Sequence, residues 1–443
     1  MNDTISKASN VHRRVAESLE DAIAAGRYAL GARLPTHRAL AQSFGVSIGS
    51  ITRAIETLRE RGLVRGEVGR GTFVMALPSK EVEGVIDLSV NAPAQVVSAE
   101  ALAAASLQAN ERTLRLAHGG YVDPAGTVEQ RETVAAWLSE TRTPLKADGV
   151  ILCNGAQQGL HLAMAALREH AGTVVTERAS FPGAIAAAGM LGLALEPVTQ
   201  DGEGPLPEAL DVLLARIGPA ILYVVPVCQN PFGYETGPER RAALAEVVAR
   251  HRAFLIEDDI YGLYAHRGGP LYRDLLPERT FYVTSFSKSL TPLIRLGVVA
   301  PPAAFLPILR RRLRAESWGL PPYAAELGVA LIETGAAAVA LGDLRREAAV
   351  RLALANRFLP LQPPMPQGAP HVWLPLPALR AEQVSRRASE AGLRLAPPSA
   401  MQVGEEPVEG IRVCLMAPPQ RAVLERGLGL LAGLLTGDDE VVV

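Results

Sequence analysis

Five short apolar runs, Val150–Cys153, Thr173–Thr176, Ala220–Val225, Phe254–Ile256 and Phe281–Thr284, recur through the middle of the chain with helix-length stretches between them. A run that is apolar at nearly every position has no face to leave in water, so it belongs to a strand covered on both sides. Such strands alternating with helices build βαβ units and a parallel sheet with helices on both faces. The expected class of this region is therefore α/β. Short strands such as Gly410–Cys414 mix with helices toward the C-terminus, which predicts a smaller α+β part there.

The first 75 residues follow a different grammar. Val15, Leu19, Ala22 and Ile23 recur at helical spacing between Val11 and Ala25, and Gly26 stops that helix. A loop from Gly31 to Pro35 leads to a short helix through Arg38, Leu40 and Phe44, broken by Gly45. Ser47 then caps a third helix whose Ile48, Ile51, Ile55 and Leu58 are expected to point inward. Leu63–Arg65 and Thr72–Val74 read as two strands joined by a glycine-containing turn. Helix, tight turn and helix followed by a hairpin is a winged helix-turn-helix. Residues 76–86, polar and punctuated by Pro and Gly, read as a linker to a body spanning 87–443. Within that body a large part is expected over about 120–310 and a small part over about 311–443. A chain of 443 residues is too long for a single ordinary core, which agrees with this division.

Apolar residues make up 48% and charged residues 20% of the chain, which excludes wholesale disorder. The three cysteines, Cys153, Cys228 and Cys414, lie far apart with no CxxC spacing, so neither a disulfide framework nor a zinc site is indicated. The N-terminal segment lacks the apolar core of a signal peptide, and no run of about 18 apolar residues occurs, so no membrane partner is expected. A soluble protein of the reducing cytoplasm fits best. Net charge is −2 overall, yet residues 1–78 hold 11 Lys and Arg against 7 Asp and Glu. A basic head on an acidic body suggests a polyanion partner for the head.

The head closely resembles the winged helix of GntR-type regulators over nearly all of residues 10–75, through its glycines, the Leu34-Pro35 pair, the third-helix spacing and the closing Gly-x-Gly-Thr-Phe-Val. The resemblance implies binding to double-stranded operator DNA. A third helix enters the major groove when its outer face is polar and short near its start, and Ser47, Gly49, Ser50, Thr52 and Arg53 supply such a face. Arg53 is the leading candidate for reading a base or gripping a phosphate. By the same resemblance Arg38, at the start of the second helix, and Arg70, in the wing, meet phosphates. His37 stands where this family usually has Ser.

The body resembles fold-type I aminotransferases, as found fused to a GntR head in MocR-type regulators. Its central motif is Ser285-Phe-Ser-Lys288, with Arg295 seven residues on. A lysine amine condenses with the aldehyde of pyridoxal 5'-phosphate, and the resemblance makes Lys288 that lysine, with Ser285 and Arg295 on the phosphate. Asp258, at the end of an apolar strand, is assigned to the pyridine nitrogen, and Tyr261, three residues later, to the phenolic oxygen. Glu257 and Asp259 flank Asp258, and a paired-carboxylate acid/base site, the rival reading of that run, fails for want of any pocket partner in the sequence. Asn230, in an Asn-Pro turn, is implied to donate to the phenolic oxygen. Gly155 opens a helix whose Ala156 and Gln157 amides would meet the phosphate. The family commonly has Ser or Thr at Ala156.

Phe181 matches the aromatic that stacks on the pyridine ring, and Tyr121 the tyrosine that reaches the phosphate of a neighbouring subunit, which implies a homodimer. Arg412 matches the arginine that grips a substrate carboxylate, and Asn91 lies in the segment that usually covers the substrate. Three functions are compatible with this assembly. It is a regulator whose body senses pyridoxal phosphate or a small amine or amino acid effector captured on it, an aminotransferase with an accessory head, or a DNA-binding protein with a dimerisation scaffold. The groove-reading helix favours the first, with residual transaminase activity compatible with it.

Overall fold

Each of the three N-terminal helices turns one apolar stripe toward a common centre. They are α1 (Asp3–Ala24), α2 (His37–Phe44) and α3 (Ile48–Glu60), with a hairpin of β1 (Val64–Glu67) and β2 (Gly71–Val74) closing the cluster. The computed structural model describes residues 3–24, 27–28, 31–60, 63–67, 71–74, 85–117, 120–263, 269–361 and 368–436. Val15, Leu19, Ile23, Leu40, Ile51, Ile55, Leu58 and Val74 form the core of the head. Thr36 caps α2 by accepting from the Ala39 amide, and Gly45 ends it in the left-handed conformation that permits a sharp turn into α3. Two expectations are corrected here. Ile48, read as inward, is 49% exposed, because the buried stripe of α3 runs through Ile51, Ala54, Ile55 and Leu58. Arg33, read as loop, forms a bridge with Phe73 and so adds a third strand segment to the wing.

The chain divides into two compact units, Met1–Val85 and Ile86–Val443. In the second, a seven-stranded sheet has the order Ile151–Asn154, Leu296–Ala300, Thr280–Ser285, Phe254–Asp258, Ile221–Val224, Thr173–Glu177 and Ala194–Val198. All five runs read from the sequence are strands of it. The sheet is mixed rather than wholly parallel, since Leu296–Ala300 runs antiparallel to both neighbours. Its apolar LGVVA composition reports burial on both faces, but burial carries no sign of direction. The reversal follows from the tight connection, residues 286–295, that holds Lys288 and returns the chain beside the strand it has just left.

The smaller part has its own core, built on Leu352, Val372, Val384, Ile411, Leu424 and Leu428. Its strands are His371–Leu374 against Ile411–Cys414, and Leu393–Arg394 against Ile86–Asp87. Ile86 thus opens a strand of this part, although the sequence placed it at the end of the linker. The sequence also drew the division between large and small parts near residue 310. The packing puts it inside the helix Ala336–Phe358, which begins in the large core at Ala337, Ala340 and Leu344 and ends in the small one at Leu352 and Ala355. Residues 86–91 therefore cross from the small part toward the C-terminal ends of the central strands, and this crossing assembles the site.

Candidate functional site

At the end of the strand Phe254–Asp258, successive side chains point to opposite sides of the sheet, which separates three neighbouring carboxylates. Glu257 accepts from the amides of Tyr272 and Arg273 at 3.0 and 3.1 Å. Asp259 accepts two hydrogen bonds from Arg142 at 2.6 and 2.8 Å and a third from the Tyr282 hydroxyl at 3.0 Å. Both are occupied by the fold, so the paired-carboxylate reading fails. Asp258 alone is different. Its Oδ2 accepts from the Tyr223 hydroxyl at 2.8 Å, while its Oδ1 is buried and has no partner among the described residues. Burial pushes this carboxyl up to about 7, against the Tyr223 hydrogen bond, which favours the charged form.

Lys288 sits in the bend after the strand Thr280–Ser285, and its Nζ donates to the backbone carbonyl of Asn91. Burial is the main reason its amine falls to about 8, and the positive fields of Arg412 and Arg295 act in the same direction. At neutral pH about a tenth of such an amine is unprotonated and nucleophilic. The side chain of Asn91 donates from Nδ2 to the Tyr261 hydroxyl at 3.0 Å and to His371 Nδ1 at 2.8 Å. Arg412 donates from Nη1 to Asn230 Oδ1 at 2.7 Å and from Nη2 to the Ser89 carbonyl at 2.5 Å. The first bond turns the Asn230 amide so that its nitrogen, a donor, is the end left for a ligand.

Lys288, Asp258, Tyr261, Asn91, Asn230 and Arg412 are thus brought into one buried cluster, although they are spread over more than 300 residues of sequence. Two further polar atoms in it, Asn91 Oδ1 and Arg412 Nε, are buried without a partner among the described residues.

A second end of the site forms at the N-terminus of the helix Gly155–Leu167. No side chain caps that terminus, so the first amides, including those of Ala156 and Gln157, have no intrahelical acceptor. Gly155 has φ +73, and a Cβ there would lie 2.8 Å from Arg295 Nη2, so the guanidinium rests directly on the helix start. Backbone amides and a guanidinium at one point make a receptor for a dianion. Ser285 is less available than its motif suggested, since its hydroxyl accepts from the Ser287 amide at 3.1 Å and lies 3.0 Å from the Leu296 carbonyl. Phe181 precedes the helix Pro182–Met190 and is half-buried against the large core. Tyr121 lies outside the cluster, 86% exposed, with its ring 5.1 Å from that of Trp318.

In the head, Ser47 Oγ caps α3 by accepting from the Ser50 amide at 3.2 Å, and the two hydroxyls lie 3.0 Å apart. Thr52 Oγ1 donates to the Ile48 carbonyl at 3.1 Å and lies 3.2 Å from His37 Nδ1. These three hydroxyls make hydrogen bonds within the head yet stay accessible, Ser47 exposed and Ser50 and Thr52 half-buried, and Arg53 and Arg38 are exposed. Arg70 lies outside the described residues. Arg33 and Arg59, which the sequence reading passed over, place their guanidinium groups against Gly71 and Gly66 of the hairpin strands.

Sequence reasoning also missed Tyr223, His371 and Gln229. Tyr223 sits inside an apolar strand, where a single tyrosine reads as core. His371 carries no signal except an unexplained polar residue at the start of a buried strand.

The residues present fit pyridoxal phosphate on geometry alone. An unpaired carboxylate oxygen suits a protonated ring nitrogen, a buried amine suits the aldehyde, and the uncapped helix with Arg295 suits the phosphate. The chain matches the profile of bacterial regulatory proteins of the gntR family over residues 12–74 and that of aminotransferase class I and II over residues 83–430. It is 24% identical to an uncharacterized HTH-type transcriptional regulator, YdeF, of Bacillus subtilis, over 98% of this chain and 96% of that one. The probable rhizopine catabolism regulatory protein MocR of Rhizobium meliloti is 27% identical over 66% of each chain. LysN, an alpha-aminoadipate aminotransferase from Thermus thermophilus solved with N-(5'-phosphopyridoxyl)-L-leucine, is similar at a TM-score of 0.72 and 26% identity. That likeness covers 80% of this chain and 92% of LysN.

Proposed function

Because the chain belongs to the aminotransferase class I and II family and carries a gntR-family head, the organisation of MocR-type regulators, we propose that it is a transcription regulator whose body senses pyridoxal phosphate or an amine captured on it. The observation that carries this reading is the trio of buried polar atoms without partners among the described residues, Asp258 Oδ1, Asn91 Oδ1 and Arg412 Nε. Each unsatisfied group of this kind costs about 1 to 3 kcal/mol, and while seven other such atoms are scattered elsewhere among the described residues, these three lie around the Lys288 amine, which supports a ligand that meets them there.

Pyridoxal phosphate, when bound, supplies an aldehyde that captures a primary amine and a ring that withdraws electrons from it. Lys288 would hold the aldehyde through its amine. Asp258 holds a proton at the ring nitrogen, and Tyr223 anchors that carboxylate. Asn230 and Tyr261 bind the phenolic oxygen. Arg295 and the Ala156 and Gln157 amides would take the phosphate, Ser285 joining them once its hydroxyl turns away from the Leu296 carbonyl, and Phe181 would cover one ring face. Arg412 receives the carboxylate of a small amino acid effector, with Asn91 beside it.

Tyr121 completes the phosphate site of a second copy, so the working unit is a homodimer. Arg38, Ser47, Ser50, Thr52, Arg53 and Arg70 meet operator DNA, and the protein works in the cytoplasm.

In a sensor, ligand affinity and DNA affinity are reciprocally coupled, typically by about 1 to 3 kcal/mol. Anisotropy titrations of promoter DNA with the apo chain, with added pyridoxal phosphate, and with an added amino acid test this. Affinity is expected to change about fivefold or more between states, and Lys288→Ala is expected to abolish the change. Unchanged DNA affinity together with full transamination turnover would establish the second reading, an aminotransferase with an accessory head, which the intact Lys288–Asp258–Arg412 set favours.

A further inference from the structure

His371 lies at the start of the strand His371–Leu374, fully buried, and meets the site through its hydrogen bond with Asn91 and edge-on against the Tyr261 ring, with 5.8 Å between ring centroids. Its Nε2 is 2.9 Å from the backbone carbonyl of Gln229, and a carbonyl can only accept, so Nε2 carries the ring proton. Gln229 is itself fixed on three sides, its amide donating to the Tyr234 carbonyl, its Oε1 accepting from the Phe232 amide and its Nε2 donating to the Ala179 carbonyl. Burial and the neighbouring Arg412 charge push the imidazole down to about 3, so the ring is neutral and Nδ1 is an acceptor. Only the NH2 end of Asn91 can face an acceptor at 2.8 Å, which settles the orientation of that amide.

We propose that His371 is a positioning residue that locks the Asn91 amide in one orientation, with Nδ2 donating to Tyr261 and Oδ1 left as the acceptor that selects a ligand bearing an N–H or O–H donor. Both Asn91 amide hydrogens are consumed, one on Tyr261 and one on His371. Tyr261 therefore receives a hydrogen bond from Asn91 and keeps its own proton for another acceptor. Without His371 as acceptor the amide can rotate by half a turn. Oδ1 would then draw the Tyr261 proton toward itself, and the ligand-facing acceptor would be replaced by a donor. Next to Arg412, an acceptor at Asn91 favours small carboxylates that also carry a donor group over plain carboxylates. This selectivity rests on the cofactor-sensing reading, but the tautomer does not.

The test uses the full chain. In the cofactor-free protein labelled with 15N-histidine, long-range 1H–15N spectra at pH 7 are expected to show His371 as the neutral Nε2–H tautomer. The signal is assigned by its loss in His371→Gln or His371→Phe, whichever folds. An Nδ1–H tautomer or an imidazolium overturns the proposal. Pyridoxal phosphate is then titrated into wild type and both variants and followed by visible absorbance.

His371→Phe keeps a ring edge-on to Tyr261 but removes the acceptor, and is expected to weaken binding about five- to tenfold and to shift the pH midpoint of the band by about half a unit or more. His371→Gln can again accept from Asn91 and donate to Gln229, and is expected to stay within about twofold of wild type. Equal behaviour of all three proteins, or equal impairment of both variants, overturns the proposal. If the wild type develops no visible band, the cofactor reading falls by itself, and the tautomer still decides the role of His371.

Discussion

Tyr223 donates its hydroxyl to Asp258 Oδ2 at 2.8 Å across two adjacent parallel strands, and both side chains are buried. The phenol is held far above its ordinary value by burial and by the neighbouring carboxylate, so it stays a donor at every physiological pH. One carboxylate oxygen is thereby fixed and the other left open. Tyr223→Phe is expected to destabilise the cofactor-free protein by about 1 to 3 kcal/mol at pH 8, where Asp258 would be charged and unsupported. Urea unfolding at that pH, compared with pH 5, checks it.

Asp258→Asn is expected to have opposite effects on stability and on cofactor binding. The folded carboxyl is raised to about 7, so the native state holds a proton that the unfolded chain releases near 4. Stability from this group is present at low pH and lost as pH rises toward 7. The variant should therefore unfold at a higher temperature than wild type at pH 8, with the difference vanishing near pH 4, while pyridoxal phosphate binds it more weakly. A melting temperature difference independent of pH would contradict the assignment.

The amine of Lys288, held near 8, should set the pace of cofactor capture. Only the neutral amine attacks an aldehyde, so the association rate of pyridoxal phosphate should rise about tenfold from pH 6 to 7, rise less from 7 to 8, and level off above about 9. Stopped-flow absorbance measures this. Lys288→Ala should remain folded and show neither the band nor a borohydride-trapped adduct.

Arg142 and Asp259 form a bidentate pair whose side chains are almost wholly excluded from water. Removing one member strands the other charge, so Arg142→Ala is expected to cost about 3 to 5 kcal/mol, read by denaturant unfolding of the cofactor-free chain. The loss should be smaller at acid pH, where the stranded carboxylate can take a proton.

Arg53 is exposed on α3 beside three hydroxyls that make hydrogen bonds within the head yet stay accessible. Arg53→Ala should weaken operator binding by about 1 to 3 kcal/mol if the arginine reads a base edge, with relaxed preference at that position. A reduced salt slope with unchanged sequence preference would place it on a phosphate instead.

The apolar periods alone determined that this chain carries a helix-turn-helix head and an α/β body, because burial is written into composition at each position. The Ser285–Lys288 run, Asp258 and Asn230 were picked out because their motifs resemble those of fold-type I aminotransferases, while nothing in the local pattern itself ranks Asp258 above Glu257 and Asp259. The antiparallel course of Leu296–Ala300 was not legible, because a run buried on both faces looks the same in either direction. Nor was the inward set of α3, where Ile48 sits one turn too early to reach the core. Only the tertiary structure could decide which of Glu257, Asp258 and Asp259 is free to meet a ligand, since the other two are taken by partners from remote segments. It alone decided the place of His371 and Tyr223, for a side chain's hydrogen-bond partners depend on what the fold brings within about 3 Å, and sequence spacing does not encode that distance.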